Sequence, residues 1–356
     1  MIAQIMNDVG PRPEFQPPES GWGFSIVGIA DSDLAHEMGM AVASIVKAAL
    51  ENDYNLSRLE GATISASYAE SLADLDRGFQ ASSTLRPSEG HAVGVAMAAP
   101  VMREGRVMMR LMLDASIALA LLSEDEEEHA FGLCTVAHEL AHIHDLATKD
   151  DAIPDTFLKP YRGTPLEAEL FNMSSGAWDE FFATRMTAYL QPNSLDAFDQ
   201  VLADSIDFLL AESTKARRAF FSHRDFGRAK RELSAPVATF LQLSAYVIGT
   251  LDGLDRGDEY GAKSREKLLA SRFAPAFDSL RKALHKMADS YPDWDSLEAY
   301  APLRLVAQRA LEAEGLYLSL APNGQVWIQI QEPDDFTISE RLASRFGLPV
   351  EVPAGA

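Results

Sequence analysis

The spacing of apolar side chains predicts helices in some parts of the chain and strands in others. Near the start, apolar positions that repeat every three or four residues predict a helix capped by Asp31 or Ser32. The apolar face of this helix consists of Leu34, Met38, Val42, Ile45, Val46 and Leu50. A short strand is expected at residues 62–68, and residues 92–99 and 106–113 are expected to pair as a hairpin. The front of the chain therefore predicts one helix followed by a small sheet.

Two helices are expected after this sheet. The first begins at Ser123, which has the spacing of a capping box with Glu126, and it continues to about residue 146. Acidic side chains in its first turn suit the positive end of the helix dipole. After a loop with three prolines, the second helix is expected to begin at residues 174–175 and to end before Pro192.

Beyond Pro192 the periodicity is mainly helical, at residues 195–231, 236–254, 262–290 and 295–314. Residues 316–320 and 325–330 flank Pro322-Asn323-Gly324 and predict a hairpin, and residues 339–346 predict a short helix closed by Gly347. The expected fold class is α+β, with these parts: a proline-rich extended arm at 1–20, an α+β domain at 21–192, a helical domain at 193–315, and a hairpin with a short helix at 316–356.

The most specific motif lies inside the helix that begins at Ser123. His138, Glu139 and His142 form the pattern H-E-x-x-H, and residues four apart lie on one face of a helix. Both histidines can therefore bind one metal ion, while Glu139 can reach a water molecule on that metal without being a ligand. This spacing indicates a catalytic metal site.

The same helical face carries further polar residues. Asp145 follows His142 and is expected either to orient a ligand histidine, to be a ligand, or to be solvated near the helix end. Cys134 lies one turn before His138 and is expected to be a small buried filler. His144 lies on a different face and is not expected to bind the metal.

A catalytic zinc site of this kind needs a third protein ligand and an open position for water. Glu180 in the next predicted helix is the best candidate, because Ala183 one turn later allows that helix to come close to the first. Glu167 and Glu169 are rivals in a less regular stretch, whereas Asp179 points to a different face.

Composition narrows the class of protein. The 356 residues include 31 Lys and Arg against 53 Asp and Glu, a formal net charge of −22. This acidity argues against a nucleic-acid partner or an anionic membrane surface. A single cysteine excludes an intramolecular disulfide and fits a reducing compartment. We expect a cytoplasmic protein, since the sequence has neither a secretory signal pattern nor an uninterrupted apolar run of about 18 residues.

With H-E-x-x-H followed by Glu180, the chain resembles the gluzincin group of zinc metallopeptidases, and among them the compact ImmA/IrrE-type proteins. The likeness covers about residues 24–192 and includes the E-x-x-A pattern of Glu180 and Ala183. It implies a zincin-like domain in which His138, His142 and Glu180 bind zinc and Glu139 acts as the general base. Thr184 departs from the family, which often has an acidic residue at this position.

The resemblance also implies a hydrolase that cleaves protein or peptide substrates held against the edge of the sheet. The residue that would donate a hydrogen bond to the oxyanion is not fixed by the sequence, and the candidates are Tyr161, Arg185, His223 and Tyr246. The alternative is a catalytically silent zincin-like sensor that binds protein partners. Glu139 favours the enzyme, because a pure binding module needs no acid at that position.

A basic segment between Lys215 and Arg231 stands out in so acidic a chain. It contains Lys215, Arg217, Arg218, Arg224, Arg228, Lys230 and Arg231 against Asp225. Such a segment either docks an acidic partner or nucleic acid, or is a solvated helix face that pairs with the acidic front half of the chain.

Overall fold

The computed structural model describes residues 23–81, 84–87, 94–257 and 262–347. Its front half contains a four-stranded mixed sheet in the order β1-β2-β4-β3. The strands are β1 (Gly23–Val27), β2 (Leu59–Ser65), β3 (Ala96–Arg103) and β4 (Arg106–Asp114). β1, β2 and β4 are parallel, and β3 pairs antiparallel with β4 as the predicted hairpin. The predicted arm at 1–20 and the first two residues of the hairpin lie outside the described residues.

The front helices are α1 (Ser32–Glu51), α2 (Tyr68–Ala73), α3 (Ala115–Ala120) and α4 (Glu126–Ala152). The Asp31 carboxylate accepts from two backbone N–H groups of α1, as expected. Several expected boundaries were wrong, and α4 runs to Ala152 and not to about residue 146. The strand predicted at 62–68 lies at Leu59–Ser65, because Tyr68 already begins α2. The cap of α4 is Asp125, whose carboxylate accepts from the N–H groups of Glu127 and Glu128.

Helix α5 (Pro165–Thr187) begins about ten residues before the predicted start. Thr164 caps it, and the Glu167 side chain accepts from the Thr164 N–H in a reciprocal capping box. Pro165 therefore begins the helix, in the first turn where proline needs no N–H partner, and does not extend the loop. A 3₁₀ turn (Ala188–Leu190) follows.

The back half is mainly helical. Its elements are α6 (Ser194–His223), α7 (Phe226–Gly253), α8 (Ala262–Leu269), α9 (Ala274–Ser290), a 3₁₀ turn (Leu297–Tyr300) and α10 (Ala301–Ala313). The helix predicted at 195–231 is two helices, because Arg224 is left-handed and Asp225 caps α7. Pro236 lies inside α7 instead of beginning a helix. The helix predicted at 262–290 is interrupted after Leu269.

The chain continues with the predicted hairpin and short helix, β5 (Leu316–Leu320), β6 (Val326–Ile330) and α11 (Ile338–Arg345). Side chains of the basic segment hold this end in place. The Arg218 guanidinium donates to Asp335 at 2.6 Å and to Glu340 at 3.1 Å, and Arg224 donates to the Ser344 carbonyl. These side chains are paired within the chain as expected, but the partners named here lie in its C-terminal part and not in the acidic front half.

Two apolar cores organise the fold. The first lies between α1, the sheet, α3 and α4 and includes Met38, Ile64, Leu111 and Leu140. The second is built from α5, α6, α7, α9, α10 and the last hairpin, around large side chains such as Trp178. Helix α5 thus shares the core of the helical half, while the domain boundary after residue 192 stays a prediction.

Among the described residues, one helix is long and apolar enough to cross a membrane. This helix is α7, and 61% of its most apolar window is buried inside the fold. Its apolar side chains pack in the second core. Burial in a core explains its composition without a membrane, and the expected cytoplasmic location stays a prediction.

Candidate metal centre

The two motif histidines share one face of α4, which packs its opposite face into the first core. Val136, Leu140 and Ile143 are buried in that core, so the helix cannot rotate without exposing them. His138 and His142 consequently point into the cleft between the two cores, and each side chain is about 16% exposed. The Nε2 atoms of the two rings lie 3.1 Å apart.

Glu180 joins the histidines from the other side of the cleft. It projects from α5, whose buried Trp178, Phe181 and Ala183 anchor the helix in the second core. Glu180 Oε2 lies 3.2 Å from His138 Nε2 and 3.6 Å from His142 Nε2. The structure therefore brings together all three predicted ligands from two helices, although Glu180 lies 42 residues after His138 in the sequence.

The spacing of these three atoms fits a tetrahedral metal ion. Bonds of roughly 2.0–2.1 Å at tetrahedral angles place neighbouring ligand atoms about 3.3–3.4 Å apart. The three observed separations are 3.1, 3.2 and 3.6 Å. A His₂Glu set with the fourth position open is a ligand set of catalytic zinc sites.

The electrostatic field at these atoms favours a cation. Burial disfavours a charged His142, but the hydrogen bond and the charge of Glu180 outweigh it and raise the pKa of His142 to about 9. Burial likewise opposes ionisation of Glu180, yet hydrogen bonds from both histidines hold its pKa well below the usual value. A carboxylate that is ionised in a buried site is the charge that a metal cation requires.

Glu139 is not part of the group of three converging atoms, as expected for a residue that is not a ligand. Its Oε2 accepts a hydrogen bond of 2.6 Å from the backbone N–H of Ala98 in β3. Because β3 is an edge strand of the sheet, this contact holds Glu139 between the histidines and the side of β3 that faces away from β4.

Two residues of α7 complete the site, and the sequence analysis missed one of them. Gln242 Nε2 donates to Glu180 Oε1 at 2.9 Å, which leaves Oε2 to face the histidines. The Tyr246 ring stacks on the His138 ring with centroids 6.0 Å apart. Burial, together with the charge of Glu180 and a hydrogen bond from the Tyr246 hydroxyl to Glu180, raises the pKa of Tyr246 well above its usual value, so its hydroxyl stays a donor. The sequence carries no local signal for Gln242, which lies 62 residues after Glu180.

Asp145 does not have the expected role of orienting a ligand histidine. Its carboxylate is almost fully buried, accepts from Trp178 Nε1 at 3.1 Å, and pairs with Lys149 Nζ at 2.6 Å. Lys149 also bonds Asp179 Oδ1 at 2.8 Å. Burial disfavours the Lys149 ammonium, but both carboxylates outweigh it and hold its pKa well above the usual value. Asp145 thus ties α4 to α5.

The rival ligands have other partners. Glu167 closes the capping box of α5, and Glu169 pairs with Lys230 at 2.6 Å. His144 accepts from the Asn55 N–H at 2.6 Å, away from the metal site as expected. Cys134 lines the cleft, and burial raises the pKa of its thiol to about 11. None of these four side chains joins the converging group of His138, His142 and Glu180 in the described residues.

The cleft around these residues has a volume of about 770 Å³. It is bounded by β3, α4, α5 and α7, so a substrate would lie between the sheet edge and the three ligands. Of the four candidate oxyanion donors, Tyr246 lines this cleft. The others lie elsewhere: Arg304 donates to the Tyr161 hydroxyl, Arg185 lies 3.9 Å from Asp252, and His223 lies 3.9 Å from Glu232.

Comparison of the chain with protein-family models, with curated proteins and with solved structures finds no match. The geometry and chemistry of the cleft are therefore what indicates the function of the chain.

Proposed function

We propose that this protein is a zinc-dependent metallopeptidase of the gluzincin kind. The observation that supports this most strongly is the convergence of His138, His142 and Glu180 at tetrahedral spacing, beside a carboxylate, Glu139, that is not part of the group. A metal-binding module would need the first three residues only. Glu139 at the edge of the sheet gives the site the acid–base group that hydrolysis requires.

The chain's own residues divide the chemistry among them. Zinc bound here supplies an electrophile that polarises a carbonyl and lowers the pKa of water towards about 7. Glu139 accepts the proton of the attacking water and delivers it to the departing amine, while the Ala98 N–H keeps the carboxylate aimed into the cleft. Tyr246 donates its hydroxyl to the oxygen that becomes negative. Gln242 holds Glu180 in its position.

The substrate class follows from the edge of β3 beside the cleft, where Ala96 has no backbone partner among the described residues and Glu139 holds the Ala98 N–H. An extended peptide can pair with the backbone of an exposed edge strand, which supplies affinity for any sequence. This edge faces the ligands across the cleft, so a paired peptide would have its backbone carbonyls beside them. The proposed substrate is accordingly a protein or peptide, and the reaction is hydrolysis of a peptide bond.

Paired measurements of zinc content and hydrolysis test this proposal. Zinc-loaded wild-type protein should cleave casein or a mixed peptide library, and Glu139→Gln should keep its zinc and lose at least a hundredfold in rate. His142→Ala should lose both, whereas His129→Ala on the same helix should lose neither. Equal hydrolysis by wild-type protein and Glu139→Gln would refute the mechanism. Zinc without hydrolysis in the wild-type protein would favour the sensor alternative.

A further inference from the structure

Among the residues that the structure describes, the edge of β3 has partners at Pro100 and Met102 and none at Ala96. In an antiparallel pair, every second residue of an edge strand turns its N–H and C=O away from the neighbouring strand. The Ala98 N–H bonds Glu139 and not β4, so the even-numbered residues of β3 are the ones that turn away from the sheet. Ala96 and Ala98 belong to the part of the edge that lines the cleft. Glu139 therefore sets the position of the scissile bond opposite Ala98.

Two residues further along, this edge is already occupied. The Pro100 carbonyl accepts from Arg77 Nε at 3.2 Å, and the Met102 N–H donates to the Arg77 carbonyl at 2.7 Å. Gly78 packs so closely that a Cβ there would lie 2.1 Å from the Met102 carbonyl oxygen. Proline itself offers no N–H. At about 3.4 Å per residue, a paired substrate has room for one or two residues between Ala98 and this block.

The blocked end of the cleft has a net negative lining. Phe157 connects the cleft with the occupied part of the β3 edge, because it lines the cleft and also lines the surface around Met102. The Phe157 ring lies 5.4 Å from Lys149 Nζ, which places Lys149 at this end of the cleft. Three charged side chains line the cleft here, namely Asp145, Lys149 and Asp179. Asp145 and Lys149 are buried against each other. Asp179 Oδ1 also pairs with Lys149 Nζ at 2.8 Å, while the Asp179 side chain stays 40% exposed. The Arg77 guanidinium lies over the Phe79 ring with its Nε bonded to the Pro100 carbonyl, and its side chain is not among those that line the cleft.

From the occupied edge and the charge beside it, we infer that the enzyme acts near the N-terminus of its substrate. It releases one or two residues, and Asp179 binds the free α-ammonium group. This inference rests on the proposed peptidase function and specifies its substrate class. A negative lining attracts an ammonium group and repels a C-terminal carboxylate, so the residues before the scissile bond occupy the blocked end. Antiparallel pairing, the slightly more stable arrangement, gives the same polarity.

The hydrolytic step consumes one water molecule and breaks one peptide bond. Water adds across the scissile C–N bond, so that a free amino acid or dipeptide leaves with a new carboxylate. The remaining peptide keeps a new amine, which takes its proton from Glu139. The products therefore identify the cleavage position directly by mass.

Chemical blocking of the peptide termini tests the inference without altering the protein. A library of ten-residue peptides is incubated with the zinc-loaded protein in three forms, with free termini, N-acetylated, or C-amidated. We expect cleavage after the first or second residue, a rate at least tenfold lower after N-acetylation, and no change after C-amidation. Internal cleavage that ignores acetylation, or a dependence on the C-terminal carboxylate, would overturn the inference while leaving the peptidase function intact.

A binding measurement separates this inference from the proposed function. Zinc-loaded Glu139→Gln protein is titrated calorimetrically with trileucine and with N-acetyl-trileucine. We expect the peptide with the free amine to bind at least tenfold more tightly than the acetylated peptide. Asp179→Asn should remove this preference. Asp33→Asn, at an exposed position on α1, should preserve it. Equal affinities, or no binding of either peptide at millimolar concentration, would overturn the inference. A tenfold preference in a protein that hydrolyses nothing would contradict the peptidase proposal alone.

Discussion

Replacement of Gly249 by alanine should weaken metal binding from outside the site. Gly249 lies in α7 where this helix crosses α5, and a Cβ there would be 2.1 Å from Thr184 Oγ1 and 2.5 Å from the Phe181 carbonyl oxygen. The Thr184 hydroxyl can rotate away, but the carbonyl belongs to the backbone of α5. Since ordinary contact begins near 3.4 Å, the two helices must separate by about 0.9 Å at this point.

That displacement acts directly on the third ligand, because Glu180 precedes Phe181 in the same helix. Zinc–ligand distances vary by only about 0.2 Å, so a shift near 1 Å breaks the tetrahedral spacing unless the helix bends. We expect zinc affinity to fall at least tenfold, which corresponds to about 1.4 kcal/mol. Overpacking should also lower the free energy of unfolding by about 1–3 kcal/mol.

A competitive zinc titration with a chromogenic chelator measures the affinity, and urea unfolding of the zinc-free protein measures stability. Gly176→Ala is the matched control in α5, because a Cβ there meets nothing within 4 Å. This control should keep its zinc affinity and gain up to about 1 kcal/mol from helix propensity. Unchanged zinc affinity in Gly249→Ala would refute the claim that the α5–α7 crossing positions Glu180.

Three further predictions address neighbouring features. Gln242→Leu should weaken zinc binding about tenfold in the same titration, because Glu180 Oε1 loses its donor, and an unchanged affinity would remove Gln242 from the site. Cys134 should react slowly with iodoacetamide at pH 8 and faster as the pH rises towards about 11, because burial disfavours its thiolate; a fast reaction at pH 7 would contradict this. Thr164→Ala should lower the free energy of unfolding by about 1 kcal/mol through loss of the α5 cap, and a change below about 0.3 kcal/mol would show that the cap is dispensable.

Local patterns predicted the parts of the site that depend on one helix. The i, i+4 spacing of His138 and His142 holds within any helix, and the structure confirms their convergence with Glu180. The predicted hairpins and the cap at Asp31 are likewise local features. The start of α5 was missed because Pro165 was interpreted as part of a loop, although Thr164 and Glu167 carry a capping box.

Other features depend on contacts between distant parts of the chain. Gln242 reaches Glu180 only because α7 crosses α5 closely at Gly249, which a single sequence does not reveal. Asp145 lies on the same face of α4 as the histidines, but Lys149 and Trp178 bind its carboxylate first. A helical wheel identifies which residues share a face, whereas the partner on the opposite side decides what each residue does.

In the proposed site, Glu180 completes the metal ligands with His138 and His142. The most direct test compares zinc content and zinc affinity in wild-type protein, in Glu180→Ala, and in Glu169→Ala, a variant of the same helix whose carboxylate pairs with Lys230. We predict about one zinc per chain in wild-type protein and in Glu169→Ala, and an affinity at least a hundredfold lower in Glu180→Ala. Equal zinc affinity in all three proteins, or no zinc in the wild-type protein after zinc is supplied, would contradict the account.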